Sequence, residues 1–262
     1  MAIVKQTLHI FATAAKPADL TFSRSSSATR VNDIGRIELV PANTIRQDFD
    51  SVVTGSIMGW LLEESSSNLC LQSQDLGTTW ITTNAVQTNL ATLTTDTTKS
   101  PDGTSNADTL AAGSSATGIV AARQQGFTFS NGTHYTVSVF AKKKDLDYLE
   151  ISNKDDNATG MTFSQTFNIS AGSVGSSGGS VYAASMRAFP NGWYRCEVSF
   201  EATASSTAEV FLKARSDNAN SSTFSATSGQ GIYLWGMQVE ENKYATSYIP
   251  TTTTSVARAA DV

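Results

Sequence analysis

The sequence has 262 residues, with 18 Lys and Arg against 23 Asp and Glu, a formal net charge of −5, and 40% hydrophobic, 9% aromatic and 16% charged residues. A chain of this length buries roughly 70–75% of its unfolded surface, so its core needs neither disulfide nor metal staples. The acidic balance lacks the Lys/Arg excess that neutralises phosphates, which argues against nucleic acid as a partner, and the one cationic run, Lys142-Lys143-Lys144, reads as a solvated strand end.

Serine and threonine together make about a quarter of the chain, with Gly at 18 and Pro at 5. Thr favours strands while Ser, Gly and Asn supply turns, and this excludes a helical bundle. The start, MAIVKQTLHIFATAAKP, lacks the charged n-region and long apolar run of a secretory signal. No stretch approaches the ~18 apolar residues of a membrane span. The expectation is a protein made in a cytoplasm, with no membrane partner.

Thr7, Leu8, Ile10 and Phe11, and then Leu20 to Phe22, give short extended pieces. The interval SRSSSATRVNDIGR has few apolar anchors and reads as an arm. Asn32-Asp33-Ile34-Gly35 signals a turn, and Ile37, Leu39 and Val40 a short strand stopped by Pro41. After a turn at Thr54-Gly55, GWLLEESSSNLCLQ fits helix or strand by periodicity, with strand and loop preferred.

From about residue 76 the alternation is regular. Tyr135, Val137, Val139 and Ala141 share one face, and Asn131-Gly132 turns the chain before them. Leu149 and Ile151 oppose Tyr148 and Glu150, and Met161, Phe163, Gln165, Phe167 and Ile169 line the next run. AGSVGSSGGS reads as a flexible loop. Tyr194, Cys196, Val198 and Phe200 then alternate with Trp193, Arg195, Glu197 and Ser199, followed by Val210 to Ala214 and Ile232 to Val239. Short strands with turn residues at each break predict an all-β, antiparallel β-sandwich of jelly-roll topology. The expected organisation is an extended N-terminal arm and attachment region over 1–75, a sandwich over 76–250 and a C-terminal tail over 251–262.

Chemistry-bearing residues are few. His9 and His134 are the two histidines; neither accompanies a GxSxG elbow, and with Cys70 and Cys196 they form no zinc cluster, so both cysteines read as buried thiols. The carboxylate pairs Glu63/Glu64, Asp155/Asp156 and Glu240/Glu241 read as solvated turn residues, since sequence neighbours on a strand face opposite ways. The expectation is a protein that is not an enzyme and holds no transition metal. Calcium is the one cofactor left open, at Asp155, Asp156 and Asn157 or at Asp217, Asn218 and Asn220, oxygen-rich loops without the EF-hand pattern. Trp60, Trp80 and Trp235 read as packing residues. If Leu149, Ile151, Cys196 and Phe200 point inward, then Tyr148, Glu150, Trp193 and Arg195 point outward, giving two aromatic faces flanked by polar groups, a carbohydrate-binding pattern. The competing reading of Trp193 is cover for the edge of the core.

Several blocks carry a resemblance: FSRSSSATRVNDIGRIELVPANTIRQDFD, GWLLEESSSNLCLQSQDL, TTWITTNA with SPDGTSNADTL, YTVSVFAKK, NGWYRCEVSF, and IYLWGMQVEENKYATSYIPTTTTSVARAAD. In this order they resemble a tailed-bacteriophage virion protein family of tail-fibre or head-spike-fibre type, over about Phe22 to Asp261. From WITTNA to SYIPT they also resemble jelly-roll carbohydrate-binding modules. The resemblance implies a virion surface protein with a lectin-like sandwich, and supplies no sugar-contacting residues of its own. Three functions follow in order: a tail-fibre or baseplate component contacting host-surface polysaccharide, a capsid decoration protein with a mechanical role, and a polysaccharide-cleaving enzyme. The expected partners are further copies of the chain, as a homotrimer by analogy with phage fibres, and other virion proteins reached through the arm.

Overall fold

The computed structural model describes residues 8–10, 21–82, 91–153, 162–219 and 224–262. The N-terminal region carries β1 (Leu8–Ile10), β2 (Ala28–Val31), β3 (Ile37–Val40), β4 (Arg46–Phe49), β5 (Ile57–Leu62), β6 (Ser66–Asn68) and the one-turn helix α1 (Leu76–Thr79). There follow β7 (Ala91–Thr98), β8 (Ala107–Ala112), β9 (Ala116–Gly118), β10 (Ala121–Phe129), β11 (His134–Lys143), β12 (Tyr148–Ser152) and β13 (Phe163–Asn168). The chain then forms β14 (Ser173–Gly179), β15 (Val181–Phe189), β16 (Trp193–Glu201), β17 (Ser206–Arg215), β18 (Phe224–Ala226), β19 (Gly231–Glu240) and β20 (Val256–Arg258).

Two antiparallel sheets make the sandwich, in the orders β10-β17-β12-β13-β14 and β15-β16-β11-β19-β8-β7. Strands β8, β10, β11, β12, β13, β16, β17 and β19 form the central orders β8-β19-β11-β16 and β10-β17-β12-β13, the interleaving that defines a jelly roll. Alternation drives this arrangement: every second residue of each strand points inward. Val137, Val139, Cys196, Val198 and Phe200 from one sheet thereby meet Leu149, Ile151, Phe163, Phe167 and Leu212 from the other in a continuous buried core. Phe163 stacks on Phe200 across the two sheets at 3.9 Å between ring centroids. Each such side chain, fully buried, contributes about 1.5–3 kcal/mol. Trp60, Trp80 and Trp235 are buried, as are Cys70 and Cys196, whose thiols burial pushes well up.

A third layer lies outside the six-stranded sheet. The β2–β3 hairpin, the β1-β5-β4 sheet and the β6–β20 pair build it from both ends of the chain. It packs on a second core cluster that includes Val31, Phe140, Phe189, Trp193, Trp235 and Tyr248. Asn68 ties it to the sandwich, donating from Nδ2 to the carbonyls of Met237 (3.0 Å) and Ile249 (2.8 Å) while its Oδ1 accepts from the amides of Cys70 and Val239. Residues 21–75 are therefore not an extended arm, and 251–262 not a free tail. Buried arginines stand in for the missing apolar anchors. Arg24, Arg46 and Arg258 are fully buried, with Arg24 and Arg46 paired to Asp261 and Arg46 also to Glu63. A second correction concerns AGSVGSSGGS, read as a loop, most of which forms β14. Its small side chains suit an exposed sheet edge, where backbone pairing with β13 needs no core contact.

Candidate ligand-binding site

The site is built on the β15–β16 hairpin. Its turn closes with the Trp193 amide donating to the Pro190 carbonyl, and Asn191 (φ 61°, ψ 28°) and Gly192 (φ 78°) are both left-handed. Asn-Gly adopts that geometry readily in tight hairpins. The register it sets places Phe189 opposite Trp193, Arg187 opposite Arg195 and Ser185 opposite Glu197. Because Cys196, Val198 and Phe200 face the sandwich core, Arg195 and Glu197 face the third layer.

Between them and that layer is a cleft of about 150 Å³. Its lining includes three guanidiniums, of Arg30, Arg187 and Arg195, and three carboxylates, of Asp48, Glu63 and Glu197. Arg30, Ile37, Arg187 and Ser247 on its wall are only half-buried, so they also meet solvent. Arg187 donates from Nε to Ser51 Oγ (3.0 Å) and from Nη2 to the Phe49 carbonyl (3.1 Å). Arg195 donates from Nη2 to Ser138 Oγ (3.0 Å), and its Nε stands 3.8 Å from Glu197 Oε1. Glu197 accepts from Ser185 Oγ (3.0 Å), and Asp48 accepts the Val31 amide (2.8 Å). At the floor, Glu63 accepts from Arg46 Nη1 (2.9 Å) and from the Ser247 amide (2.7 Å) and hydroxyl (2.6 Å). Burial pushes the Glu63 carboxyl up, but the Arg46 and Arg258 charges and the Ser247 bonds outweigh it and hold it below its ordinary value. A cleft carrying both fixed cations and fixed carboxylates suits a ligand rich in hydroxyls and oxyanions.

The four residues expected to bind carbohydrate are not brought together. Tyr148 and Glu150 lie on β12 of the five-stranded sheet, Trp193 and Arg195 on β16 of the six-stranded sheet. Both strands have the expected phase, and their outward residues face away from each other on opposite sides of the sandwich. Nor are they open aromatic faces. Trp193 is 1% exposed and its indole donates to the Lys99 carbonyl (3.0 Å), because the third layer covers it. Glu150 is 2% exposed, accepting from Lys213 Nζ (2.9 Å) and Arg215 Nη1 (3.2 Å); Tyr148 is half-buried. Only Arg195 lines the cleft. Sequence reasoning missed Arg187, Glu197 and Asp48 as its companions. The signal for Arg187 was the run VYAASMRAF, whose pairing with WYRCEVSF across Asn-Gly fixes the register.

Other expectations are also corrected. Glu63 and Glu240 are buried, not solvated: Glu240 accepts from Ser66 Oγ and from the amide and hydroxyl of Thr246, and burial pushes its carboxyl up despite these bonds. The calcium candidates Asp155, Asp156 and Asn157, and also Asn220, lie outside the described residues. Asp217 is taken by Arg215 Nη2 (2.7 Å), and Asn218 Oδ1 by Thr166 Oγ1 and the Ser176 amide. Among the described residues no three His, Cys, Asp or Glu side chains group as metal ligands.

No protein-family model matches the chain, and no curated protein matches it in sequence. Among solved structures it is similar to the enzymatically active domain of tailspike protein 4 of bacteriophage CBA120, at 14% identity over 64% of this chain and with a TM-score of 0.35. The match spans a fifth of that chain, 20% of its length. It is also similar to a Bacteroides thetaiotaomicron protein described as sugar binding, at 10% identity over 67% of this chain and 95% of the other, with a TM-score of 0.33. The expectation that the chain is not an enzyme is withdrawn, and one of the two solved structures above is itself described as an enzymatically active domain. The physical ground for that expectation was incomplete, because scarce histidines and cysteines bear on triads and zinc, whereas acid–base carboxylates can come together from distant strands.

Proposed function

We propose that this chain is a bacteriophage virion surface component of tail-fibre type that binds host-surface polysaccharide in the cleft between the β15–β16 hairpin and the third layer. The observation that carries the reading is the lining itself, three guanidiniums and three carboxylates around about 150 Å³ on a jelly-roll sandwich. Carboxylates accept sugar hydroxyl protons and guanidiniums donate to ring and hydroxyl oxygens, so one cleft orients a sugar from both sides. The ordered sequence blocks that resemble phage fibre proteins support the same reading.

The working form is a homo-oligomer, a trimer by analogy, attached to other virion proteins through its N-terminal segment. The cleft is smaller than the roughly 300–1,000 Å³ of pockets for drug-sized ligands, so one copy grips a single ring or chain end. Weak single sites suffice when several copies act on one particle, because linkage raises the effective concentration.

The test is to label the purified protein and measure its retention on host cells before and after their surface polysaccharide is stripped, alongside immunolabelling of the intact virion. Retention lost on stripping, with label on the tail, is expected. Unchanged retention, or label confined to the head lattice with no polysaccharide binding, would replace this reading with capsid decoration.

A further inference from the structure

We propose that Arg187 and Arg195 form an anion subsite in the cleft that takes the carboxylate of an acidic sugar. The inference rests on the glycan reading above and names the class of glycan. The two guanidiniums belong to residues directly opposite in the β15–β16 register, and both line the cleft. Like charges placed so on neighbouring strands repel, and among the described residues the carboxylates near the pair, Glu197 by Arg195 and Asp50 by Arg187, act through charge and make no hydrogen bond to it. Arg187 spends Nε and Nη2 on neutral oxygens of Ser51 and Phe49. Arg195 spends Nη2 on the Ser138 hydroxyl and meets Glu197 at 3.8 Å, beyond hydrogen-bond distance. Arg195 is 8% exposed, and its Nε is buried without a hydrogen-bond partner among the described residues. A buried guanidinium N–H left unmade is costly, and an oxyanion beside it supplies the bond.

Each guanidinium also lies over an aromatic ring. The Arg187 guanidinium carbon lies 5.5 Å from the centroid of the Phe189 ring, and that of Arg195 5.5 Å from the centroid of the Phe140 ring. The ring faces attract the two cations and help to hold them at the cleft wall. The charge of the acceptor follows from the rest of the lining. Asp48, Glu63 and Glu197 share the cleft, so a dianion such as phosphate meets three carboxylates, while a monoanionic carboxylate flanked by hydroxyls meets both cations and acceptors. A uronic-type sugar has that chemistry on one ring, which also matches the small volume.

The experiment titrates the full chain with trigalacturonate, with its methyl ester, with neutral maltotriose and with inorganic phosphate, by calorimetry or ligand-observed NMR. The ester keeps the ring and hydroxyls and loses the charge, so the comparison needs no substitution. Expected are roughly tenfold or greater preference for the acid over the ester, affinity falling as salt rises, and a similar loss in Arg187→Gln, whose site is half-buried on an edge strand. Arg195→Lys should retain part of the affinity that Arg195→Gln loses. Equal binding of acid and ester, or tighter binding of maltotriose, overturns the anion subsite and leaves the glycan reading standing. Phosphate binding without uronate binding also overturns it. Failure to bind any of the sugars or the extracted host polysaccharide removes both.

Discussion

Asp261 and Arg46 lie 215 residues apart in sequence and form a fully buried ion pair. The other Asp261 oxygen accepts from Arg24 Nη1 (3.0 Å), and the Glu63 amide donates to the carboxylate as well (2.9 Å). The end of the chain thus holds the layer that covers the cleft. Asp261→Ala should therefore cost about 3–5 kcal/mol, because it leaves two buried guanidiniums short of their partner. Glu38→Ala, at the solvent-accessible Arg30–Glu38 pair, should cost no more than about 1 kcal/mol. Urea unfolding of both variants checks this, and equal midpoints would remove Asp261 as the anchor.

Trp193→Ala should lower stability by about 3–5 kcal/mol, as for a large aromatic side chain removed from a core. Tyr148→Ala, at a half-buried position on the other sheet, should cost much less and leave cleft binding unchanged. Thermal melts with a glycan titration separate the two. Loss of binding in Tyr148→Ala at unchanged stability would return the site to the five-stranded sheet.

The sandwich was legible because its strands alternate strictly, and the inward set Cys196, Val198 and Phe200 has the phase read from the sequence. Exposure of the outward set was not legible. Trp193, Arg195 and Glu197 look solvent-facing by pattern, but the cover comes from residues 28–63 and 245–248, far away in sequence. The third layer was misread as an arm for a related reason. Its interior is held by Arg24, Arg46, Glu63, Arg258 and Asp261, and a charged side chain buried by distant partners has the same hydropathy as one in water.

Asp108 predicts a pH effect. Its two oxygens accept the amides of Leu76 (2.7 Å) and Asp96 (3.0 Å), joining α1 to β7. Burial raises its pKa from 3.8 to about 6, against those two bonds and with the help of the Asp75 and Asp96 charges. A raised acid binds its proton more tightly in the folded state, so its contribution is full below about pH 4 and is lost as pH rises through about 6. The size is on the order of 3 kcal/mol. Asp108→Asn should flatten the stability difference between pH 4 and pH 7 relative to the unsubstituted chain. Parallel pH profiles for the two proteins would contradict it.

Glu150 sits opposite Lys213 on β17 and pairs with both Lys213 and Arg215, all three buried. Glu150→Gln should cost roughly 3 kcal/mol, since two buried cations lose their shared charge. Asp217→Asn, at a carboxylate with 48% of its side chain exposed, should cost at most about 1 kcal/mol. Chemical denaturation of the single and double variants gives the coupling. A Glu150 effect as small as that of Asp217 would mean that the five-stranded face does not depend on this pair.

Gly35 links the fold to the cleft. It lies between β2 and β3 at φ +78°, where Asn32 Oδ1 accepts the amides of Ile34 (3.2 Å) and Arg36 (2.9 Å). A Cβ at this position would stand 2.4 Å from the Ser51 carbonyl oxygen and 2.9 Å from Pro190 Cγ. Alanine there meets both a left-handed backbone and a backbone clash, and neither is relieved by a side-chain rotation. The turn must move away from Ser51, the residue that accepts from Arg187 Nε, and from the β15–β16 hairpin turn. Gly35→Ala should thus destabilise the chain by more than about 1 kcal/mol and weaken glycan binding, whereas Gly55→Ala, also left-handed but with open space around its Cβ, should carry only the backbone cost. Calorimetric unfolding together with glycan titration of both variants distinguishes these outcomes. Matching stability losses with unchanged binding in both would show that the Gly35 contact does not set the geometry of the cleft.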